Sequence, residues 1–151
     1  MTASQSHTHH AAHLRDARRE DIPTILQLIT PYVEQRVLMP RDANDLEKLI
    51  PHGFVAEAEG QVVGFAAVEI YSSKLGEIQC LAVKESYQQH GLGKQLVEAC
   101  VQRARDEQVW ELLAITSSDG FLRACGFNYS LPDQRRALFL RTGGTSGPAN
   151  Q

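Results

Sequence analysis

The amino-acid sequence predicts a single α+β domain, a mostly antiparallel twisted sheet of roughly six to seven strands flanked by about four helices. Residues 77–83 form a short, mostly apolar run, which is typical of a strand with both faces covered. From Leu92 onward the apolar residues recur at the spacing of an amphipathic helix. Two further apolar runs, 54–56 and 62–70, are joined through Glu59-Gly60, the signal of a β-hairpin, and such antiparallel strands favour an α+β sheet over a doubly wound one.

The first part of the chain adds one strand and two helices. Residues 14–17 form a short candidate strand, and the first helix follows from about Asp21. Pro31 should kink or end that helix, because proline removes a backbone hydrogen bond and clashes with the preceding turn. A second, short helix is expected after Asp42 or Asn44, either of which is a good N-cap residue.

The last part of the chain follows the long helix that begins near Leu92. Residues 111–116 are mostly apolar and predict another buried strand, and 120–124 predict a short helix. Gly126 ends that helix at a position that favours a left-handed residue. Residues 137–141, with the sequence ALFLR, predict the last strand.

Composition bounds the class of protein. The sequence has 151 residues, 42% hydrophobic and 22% charged, which is ordinary for one domain over 14–142 between a disordered tail at 1–13 and a loose tail at 143–151. A net charge of −3 without a Lys/Arg cluster argues against a nucleic-acid partner. No apolar stretch reaches the roughly 20 residues that span a bilayer, and no secretory signal is visible, so a cytoplasmic enzyme is expected.

The cysteines do not indicate a disulfide framework or a metal site. There are three of them, widely spaced and without a Cys-x-x-Cys pair: Cys80, Cys100 and Cys125. This pattern predicts reduced, structural thiols. The His-rich start of the chain lacks Cys or carboxylate partners and is expected to belong to the disordered tail.

The loop between the strand at 77–83, here called the organising strand, and the long helix has the chemistry of an anion site. Residues 88–93 read QQHGLG, and glycines at the mouth of a helix leave the first-turn N–H groups and the positive end of the helix dipole uncovered. A dinucleotide-binding loop would need a small residue where Leu96 stands. A nucleoside-triphosphate loop would need Gly at the position of Gln88 and Ser or Thr at that of Gln95.

The pattern Gln88-x-x-Gly91-x-Gly93 after an apolar strand, together with the Cys125-Gly126-Phe127 turn, resembles the acetyl-coenzyme A (acetyl-CoA) pyrophosphate loop of the GNAT superfamily of N-acetyltransferases. The resemblance covers about 14–142. It implies that the organising strand and the next one splay apart to admit the pantetheine arm of the cofactor. The implied cofactor-binding residues are Leu81, Ala82, Val83, Gln88, Gln89, His90, Gly91, Leu92, Gly93 and Lys94.

Acetyl transfer to an amine needs a base, because most amines are protonated at pH 7. Glu77 is the candidate, since burial in an apolar strand would disfavour its charged form. The alternative is a carboxylate that faces solvent at a strand end or pairs with an arginine. Many GNAT enzymes have a Tyr as general acid where Leu122 stands here, so Thr116 and Ser117 are the replacement candidates. Direct transfer is expected, without a covalent acyl-enzyme.

Within the superfamily, the sequence is similar to the acetyltransferase domain of bacterial N-acetylglutamate synthases, in a short stand-alone form. The matching segments are Val37-Leu38-x-x-Arg41, Gly76-Glu77-x-x-Cys80-Leu81-Ala82-Val83, and Leu131-Pro132 followed by Arg136-x-Leu138. The similarity implies that Arg41 holds a carboxylate of glutamate and that the backbone at Cys80 holds the α-amino group. The second carboxylate-binding residue stays open, with Arg136 and Arg141 as candidates.

These observations support three hypotheses about the function. The first is acetylation of glutamate at the start of arginine biosynthesis, with a small-molecule substrate and a possible homodimer. The second is acetylation of another small amine or of a protein N-terminus. The third is a non-catalytic acyl-CoA sensor that kept the cofactor loop and lost turnover, which the missing Tyr suggests.

Overall fold

The structure, a computed structural model, describes residues 11–116, 119–131 and 137–143. Its strands are β1 (His13–Asp16), β2 (Gly53–Ala58), β3 (Gln61–Ile70), β4 (Leu75–Val83) and β5 (Glu111–Leu113). Its α-helices are α1 (Ile22–Glu34), α2 (Ala43–Leu49), α3 (Leu92–Asp106) and α4 (Asp119–Ala124). Single 3₁₀ turns lie at Arg19–Asp21, Ile50–His52 and Glu85–Tyr87. The predicted α+β class is confirmed.

The sheet has its strands in the order β1-β2-β3-β4-β5. The first four strands pair antiparallel, and β5 pairs parallel to β4. The hairpin turn between β2 and β3 is the predicted one, with left-handed φ angles of 51° at Glu59 and 75° at Gly60. These two left-handed residues match the right-handed twist of the strands that they join.

The prediction of six to seven strands was too high, because the described residues form five. The predicted strand at 137–141 is absent: these residues belong to no strand, and Leu138 is 92% exposed. The predicted strand at 111–116 is also too long, since β5 ends at Leu113. An apolar run becomes a strand only where a neighbour offers hydrogen bonds and a surface to pack against.

The first helix begins one residue after Asp21, as expected, but Pro31 does not end it. The helix continues to Glu34, and the Gln35 N–H donates to the Pro31 carbonyl at 3.0 Å. Asp42 is the N-cap of α2: its carboxylate accepts from the Asp45 N–H at 2.8 Å, and the Asp45 carboxylate accepts from the Asp42 N–H at 3.0 Å.

The helices cover opposite faces of the sheet, and each face has its own apolar cluster. The cluster under α1 and α2 contains Ala17, Ile22, Ile25, Ile29, Leu46, Leu49, Val55, Phe65, Ala67, Cys80 and Ala82. The cluster under α3 contains Ala56, Ala58, Val63, Ala66, Val68, Ile78, Val83, Leu92, Leu96, Cys100 and Ala104. Successive residues of β3 alternate between the two clusters, as the two-residue period of a strand requires.

The end of α4 follows the predicted turn. Gly126 has φ +95°, its N–H donates to Arg123 O at 3.0 Å, and the Phe127 N–H donates to Leu122 O at 3.0 Å. This pair of bonds is the Schellman motif, which satisfies carbonyls at a helix end.

An ion pair between Arg15 and Asp21 ties β1 to the start of α1. Two guanidinium nitrogens donate to the buried carboxylate at 2.9 Å each, and the Arg18 N–H donates to it at 2.7 Å. The hydrogen bonds from Arg15 lower the pKa of Asp21 below its ordinary value, against the opposing effect of burial. A carboxylate with a lowered folded-state pKa stabilises the fold above its unfolded pKa, and this contribution is lost as the pH falls through the folded value.

We therefore expect Asp21→Asn to lower the free energy of unfolding at pH 7 by about 2 kcal/mol. Wild-type stability should fall steeply below about pH 4, and the variant should lose less over the same range. Urea unfolding at pH 7, 4 and 3 measures both effects. The control is Glu47→Gln, which removes the exposed Arg19–Glu47 pair and should change stability by less than about 0.5 kcal/mol. Equal acid sensitivity of wild type and the Asp21 variant would contradict the assignment.

Candidate active site

The predicted phosphate loop forms an open helix N-terminus. Gln89 and Gly91 have left-handed φ angles of 66° and 81°, and the first hydrogen bond of α3 runs from the Gln95 N–H to Gly91 O at 3.0 Å. The amides of Leu92, Gly93 and Lys94 precede that bond and lie at the positive end of the helix dipole. The residues of the loop from Gln88 to Gly91 are exposed, so an anion has access to this end.

Gln88 has an internal role that the sequence did not indicate. Its side-chain amide donates to Val83 O at 2.9 Å and to the Tyr32 hydroxyl at 2.8 Å, and that hydroxyl donates to Val83 O as well. The side chain therefore joins the loop to the end of β4 and to α1. Its predicted contact with a phosphate stays a prediction.

The pairing between β4 and β5 is short. It runs from Leu75↔Glu111 to Glu77↔Leu113, and β4 then continues for six residues to Val83. The stretch beyond the last pair contains Leu81, which is half-buried, and Ala82 and Val83, which are buried. The residues that were expected to contact pantetheine thus lie where β4 extends past the end of β5.

A β-bulge interrupts β4 at Cys80. Phe65 pairs with Ala82 and Ala67 with Gln79, so that two residues, Cys80 and Leu81, lie opposite one on β3. Cys80 has φ +57°, a left-handed conformation that costs a non-glycine residue roughly 1–2 kcal/mol. The bulge turns the backbone at Cys80 out of the regular ladder.

The Cys80 thiol is not suited to be a nucleophile. Burial raises its pKa, and the nearby Arg41 guanidinium opposes that shift only in part. The thiol is therefore protonated at neutral pH, and a thiol reacts as its thiolate. This environment fits the expectation of direct transfer without an acyl-enzyme.

A connected group of polar side chains, here called the polar cluster, lies on β3 and the residue that follows it, on β4, and in the segment before α2. Its members are Arg41, Glu69, Tyr71, Glu77 and Gln79. Glu77 pairs in register with Glu69 across the strands, and the Tyr71 hydroxyl donates to the Glu77 carboxylate. Gln79 accepts from Arg41 Nη2 and donates to Glu69 at 3.2 Å. Two predicted site residues, Arg41 and Glu77, thus share one network.

Three members of this network were not predicted from the sequence: Glu69, Tyr71 and Gln79. Gln79 stood out as a polar residue in an apolar strand, and it is only 9% exposed. The available signal was the two-residue spacing of Glu77 and Gln79, which places their side chains on one face of the strand, and the same spacing of Glu69 and Tyr71 on its hairpin partner. Burial and the hydrogen bond to Glu77 raise the pKa of Tyr71, so its hydroxyl keeps its proton.

The two candidates for the general acid follow β5 in the sequence. Thr116 is exposed and lies three residues beyond the end of β5, and Ser117 lies outside the described residues. Leu122, at the position of the family's usual Tyr, is 7% exposed. The roles of Thr116 and Ser117 stay predictions.

Neither candidate for the second carboxylate partner is confirmed. Arg136 lies outside the described residues, and Arg141 is exposed.

Within the described part of the chain, no three His, Cys, Asp or Glu side chains are grouped as a metal site would need. None of the helices in these ranges has the length and apolar character required to cross a membrane.

Comparison with known proteins identifies the family. Residues 19–127 match the model of the acetyltransferase (GNAT) family. An uncharacterised N-acetyltransferase of Chlorobaculum tepidum is 32% identical over 114 residues, which are 76% of this chain and 74% of the relative. The amino-acid acetyltransferase of Pseudomonas fluorescens is 36% identical over 132 residues, which are 83% of this chain but only 31% of that protein's length.

Solved structures give the same result. Rv2747 from Mycobacterium tuberculosis, in complex with CoA, has a TM-score of 0.72 and 33% identity, over 77% of this chain and 71% of that chain. N-acetylglutamate synthase from Neisseria gonorrhoeae, complexed with CoA and N-acetyl-glutamate, has a TM-score of 0.69 and 33% identity, over 76% of this chain and 27% of that chain. With the open helix N-terminus and the short β4–β5 pairing, these matches show that the chain belongs to the acetyltransferase (GNAT) family and is an acetyl-CoA-dependent N-acetyltransferase.

Proposed function

We propose that this enzyme acetylates the α-amino group of L-glutamate by direct transfer from acetyl-CoA, as a cytoplasmic step of arginine biosynthesis. The observation that carries the proposal is the polar cluster, in which a guanidinium and two carboxylates are linked beside the Cys80 bulge. An amino acid such as glutamate carries an ammonium group and carboxylates. The cluster offers partners of opposite charge to both.

Arg41 is the residue best suited to hold a carboxylate. Its partner in the cluster, Gln79, is a neutral amide, so this hydrogen bond does not compensate the charge of the guanidinium. Its Nε atom is buried and has no hydrogen-bond partner among the described residues. A buried donor without a partner costs roughly 1–3 kcal/mol, and a substrate carboxylate would remove that cost through a charge-assisted hydrogen bond.

The names of the relatives support the same substrate class. Several Pseudomonas relatives are amino-acid acetyltransferases, and the similar Neisseria synthase binds CoA together with N-acetyl-glutamate. The chain spans about a third or less of the length of those proteins, so their whole activity is carried here only as part of the proposal.

In the proposed reaction, Glu77 takes a proton from the ammonium group of the bound amino acid. The neutral amine then attacks the thioester carbonyl, a C–N bond forms, and the C–S bond breaks. Backbone N–H groups near Leu81 are proposed to hold the oxyanion of the tetrahedral intermediate. As the C–S bond breaks, the attacking nitrogen loses its second proton and the CoA thiolate gains one, for which Thr116 and Ser117 are the proposed donors. The proton that the nitrogen releases restores the donating hydroxyl.

The test of this proposal is the release of CoA thiol from acetyl-CoA in the presence of each of the twenty amino acids, supplied singly. Glutamate should give the highest kcat/KM, and mass spectrometry should identify the product as N-acetylglutamate. Turnover with a different amine would overturn the substrate assignment. Tight acetyl-CoA binding without turnover of any amino acid would contradict glutamate as the acceptor.

Gly91 is expected to matter for cofactor affinity. A Cβ atom at this position would point into open space at the mouth of α3, where the pyrophosphate is proposed to lie, and the φ of +81° adds strain for any other residue. We expect Gly91→Ala to raise the dissociation constant for CoA about tenfold.

Gly60→Ala is the matched control for Gly91, because it introduces a methyl group at φ +75° into open space in the β2–β3 hairpin. The two variants should lose similar stability, but only the Gly91 variant should lose affinity. Titration calorimetry with CoA measures the dissociation constants, and thermal melting measures stability. Equal dissociation constants for the two variants would remove Gly91 from the proposed phosphate site.

A further inference from the structure

Gln79 has one possible orientation in the polar cluster. An arginine side chain only donates hydrogen bonds, so the Gln79 oxygen must face Arg41 Nη2. The amide nitrogen therefore faces the other way, where it donates to Glu69 at 3.2 Å and to the Tyr71 hydroxyl at 3.4 Å. Arg41 thus sets the direction in which the amide of this buried side chain points.

The hydroxyl proton of Tyr71 is directed to Glu77. The hydroxyl oxygen of Tyr71 accepts an N–H of Gln79, and its single proton has two carboxylates within reach, of which that of Glu77 is the nearer. The Glu69 carboxylate lies 3.3 Å from the same hydroxyl and accepts the other N–H of Gln79 at 3.2 Å. The bonds therefore run in one direction, from Arg41 through Gln79 and Tyr71 to Glu77.

We propose that Gln79 and Tyr71 are positioning residues that hold Arg41 and Glu77 in one arrangement, so that carboxylate binding and proton removal act on the same acceptor molecule. The inference rests on the proposed function, because it takes Arg41 as the carboxylate-binding group and Glu77 as the base. Gln79 orients the guanidinium, and Tyr71 orients the carboxylate. Neither residue needs to touch the substrate for this role.

Two substitutions remove the link with little change in shape. Gln79→Met keeps the length of the buried side chain and removes its hydrogen bonds. Tyr71→Phe removes one hydroxyl from a side chain that is 52% exposed. The control is Gln102→Met on the outer face of α3, where the side chain is exposed and bonds only to Asp106 in its own helix among the described contacts.

The first readout is the discrimination between glutamate and its two monoamides, glutamine and isoglutamine, each of which lacks one carboxylate. The ratio of interest is kcat/KM for glutamate divided by kcat/KM for the monoamide that the wild type disfavours more. Gln79→Met should reduce this ratio about tenfold. A purely structural defect would lower kcat/KM for all three substrates in proportion and leave the ratio unchanged, which would overturn the role of Gln79. Gln102→Met should leave the ratio at its wild-type value.

The second readout is the coupling between the two residues. Tyr71→Phe should lower kcat about tenfold with KM for glutamate within twofold of wild type. Because the two side chains share one network, the effect of the double variant on kcat/KM should be several-fold smaller than the product of the single effects. Effects that simply multiply would overturn the link.

The third readout needs no substrate and so separates this inference from the proposed function. The side-chain amide signals of Gln79 in a ¹⁵N spectrum are assigned as those that Gln79→Met removes. They should shift in Arg41→Lys and in Tyr71→Phe, and stay in place in Gln102→Met. If they shift while glutamate is not acetylated, the proposed function fails and the link stands. If they do not move, the link itself is wrong.

Discussion

Glu77→Gln is expected to lower kcat for glutamate acetylation by about 10²-fold or more, with little change in KM for acetyl-CoA. The amide has nearly the same shape and can still accept the hydrogen bond from Tyr71, but it cannot take a proton from the substrate. The variant must therefore use the small fraction of acceptor that is already neutral. Its rate should rise about tenfold per pH unit below the pKa of the substrate amine, whereas the wild-type rate should vary less.

The measurement is a pH series of initial rates of thiol release between pH 6 and 9. Glu47→Gln serves as the control, since it removes an exposed carboxylate of α2 whose described partner is Arg19. It should leave kcat and its pH dependence unchanged. If Glu77→Gln keeps more than about a third of wild-type kcat, Glu77 is a half-buried charge of the strand and not the base.

Arg41→Ala is expected to raise KM for glutamate by about 10²-fold and to change kcat by only a few-fold. Hydrogen bonds to charged groups are worth about 1.5–3 kcal/mol, which corresponds to about 10- to 150-fold in affinity. Loss of binding that is equal in the ground state and the transition state raises KM without lowering kcat. The discrimination between glutamate and the disfavoured monoamide should also disappear.

Arg36→Ala is the matched control for Arg41, because it removes an exposed cation from the same segment between α1 and α2. Steady-state kinetics with glutamate varied at saturating acetyl-CoA should give wild-type KM for this variant. If the two substitutions raise KM equally, the effect is a general attraction between the segment and an anion. Arg41 would then not be a specific carboxylate partner.

Those parts of the fold that local chemistry determines could be predicted from the sequence. The hairpin at Glu59-Gly60, the Asp42 cap and the Gly126 turn each depend on residues within a few positions of one another. The open N-terminal end of α3 is local in the same sense, because glycines and the start of an apolar helical face lie side by side in the sequence.

The features that could not be predicted depend on distant partners. Arg41 and Gln79 are 38 residues apart, and no local pattern indicates which polar side chain will meet which. Cys80 adopts a left-handed conformation that glycine would normally mark in a sequence, so the bulge gave no signal. The segment 137–141 is as apolar as a strand, but strand formation requires a pairing partner that its own residues do not reveal.

The short contact between β4 and β5 gives this sheet an uneven resistance to opening. Three residue pairs join these strands, from Leu75↔Glu111 to Glu77↔Leu113, whereas β3 and β4 stay paired from Ile70↔Gly76 to Gly64↔Val83. Separating β5 locally breaks the few hydrogen bonds of those pairs and the bonds of the Trp110 and Glu111 N–H groups to the turn before β4, at about 1 kcal/mol each. It also withdraws Leu112 from the cluster under α3. We therefore expect β5 to separate from β4 more readily than β4 separates from β3.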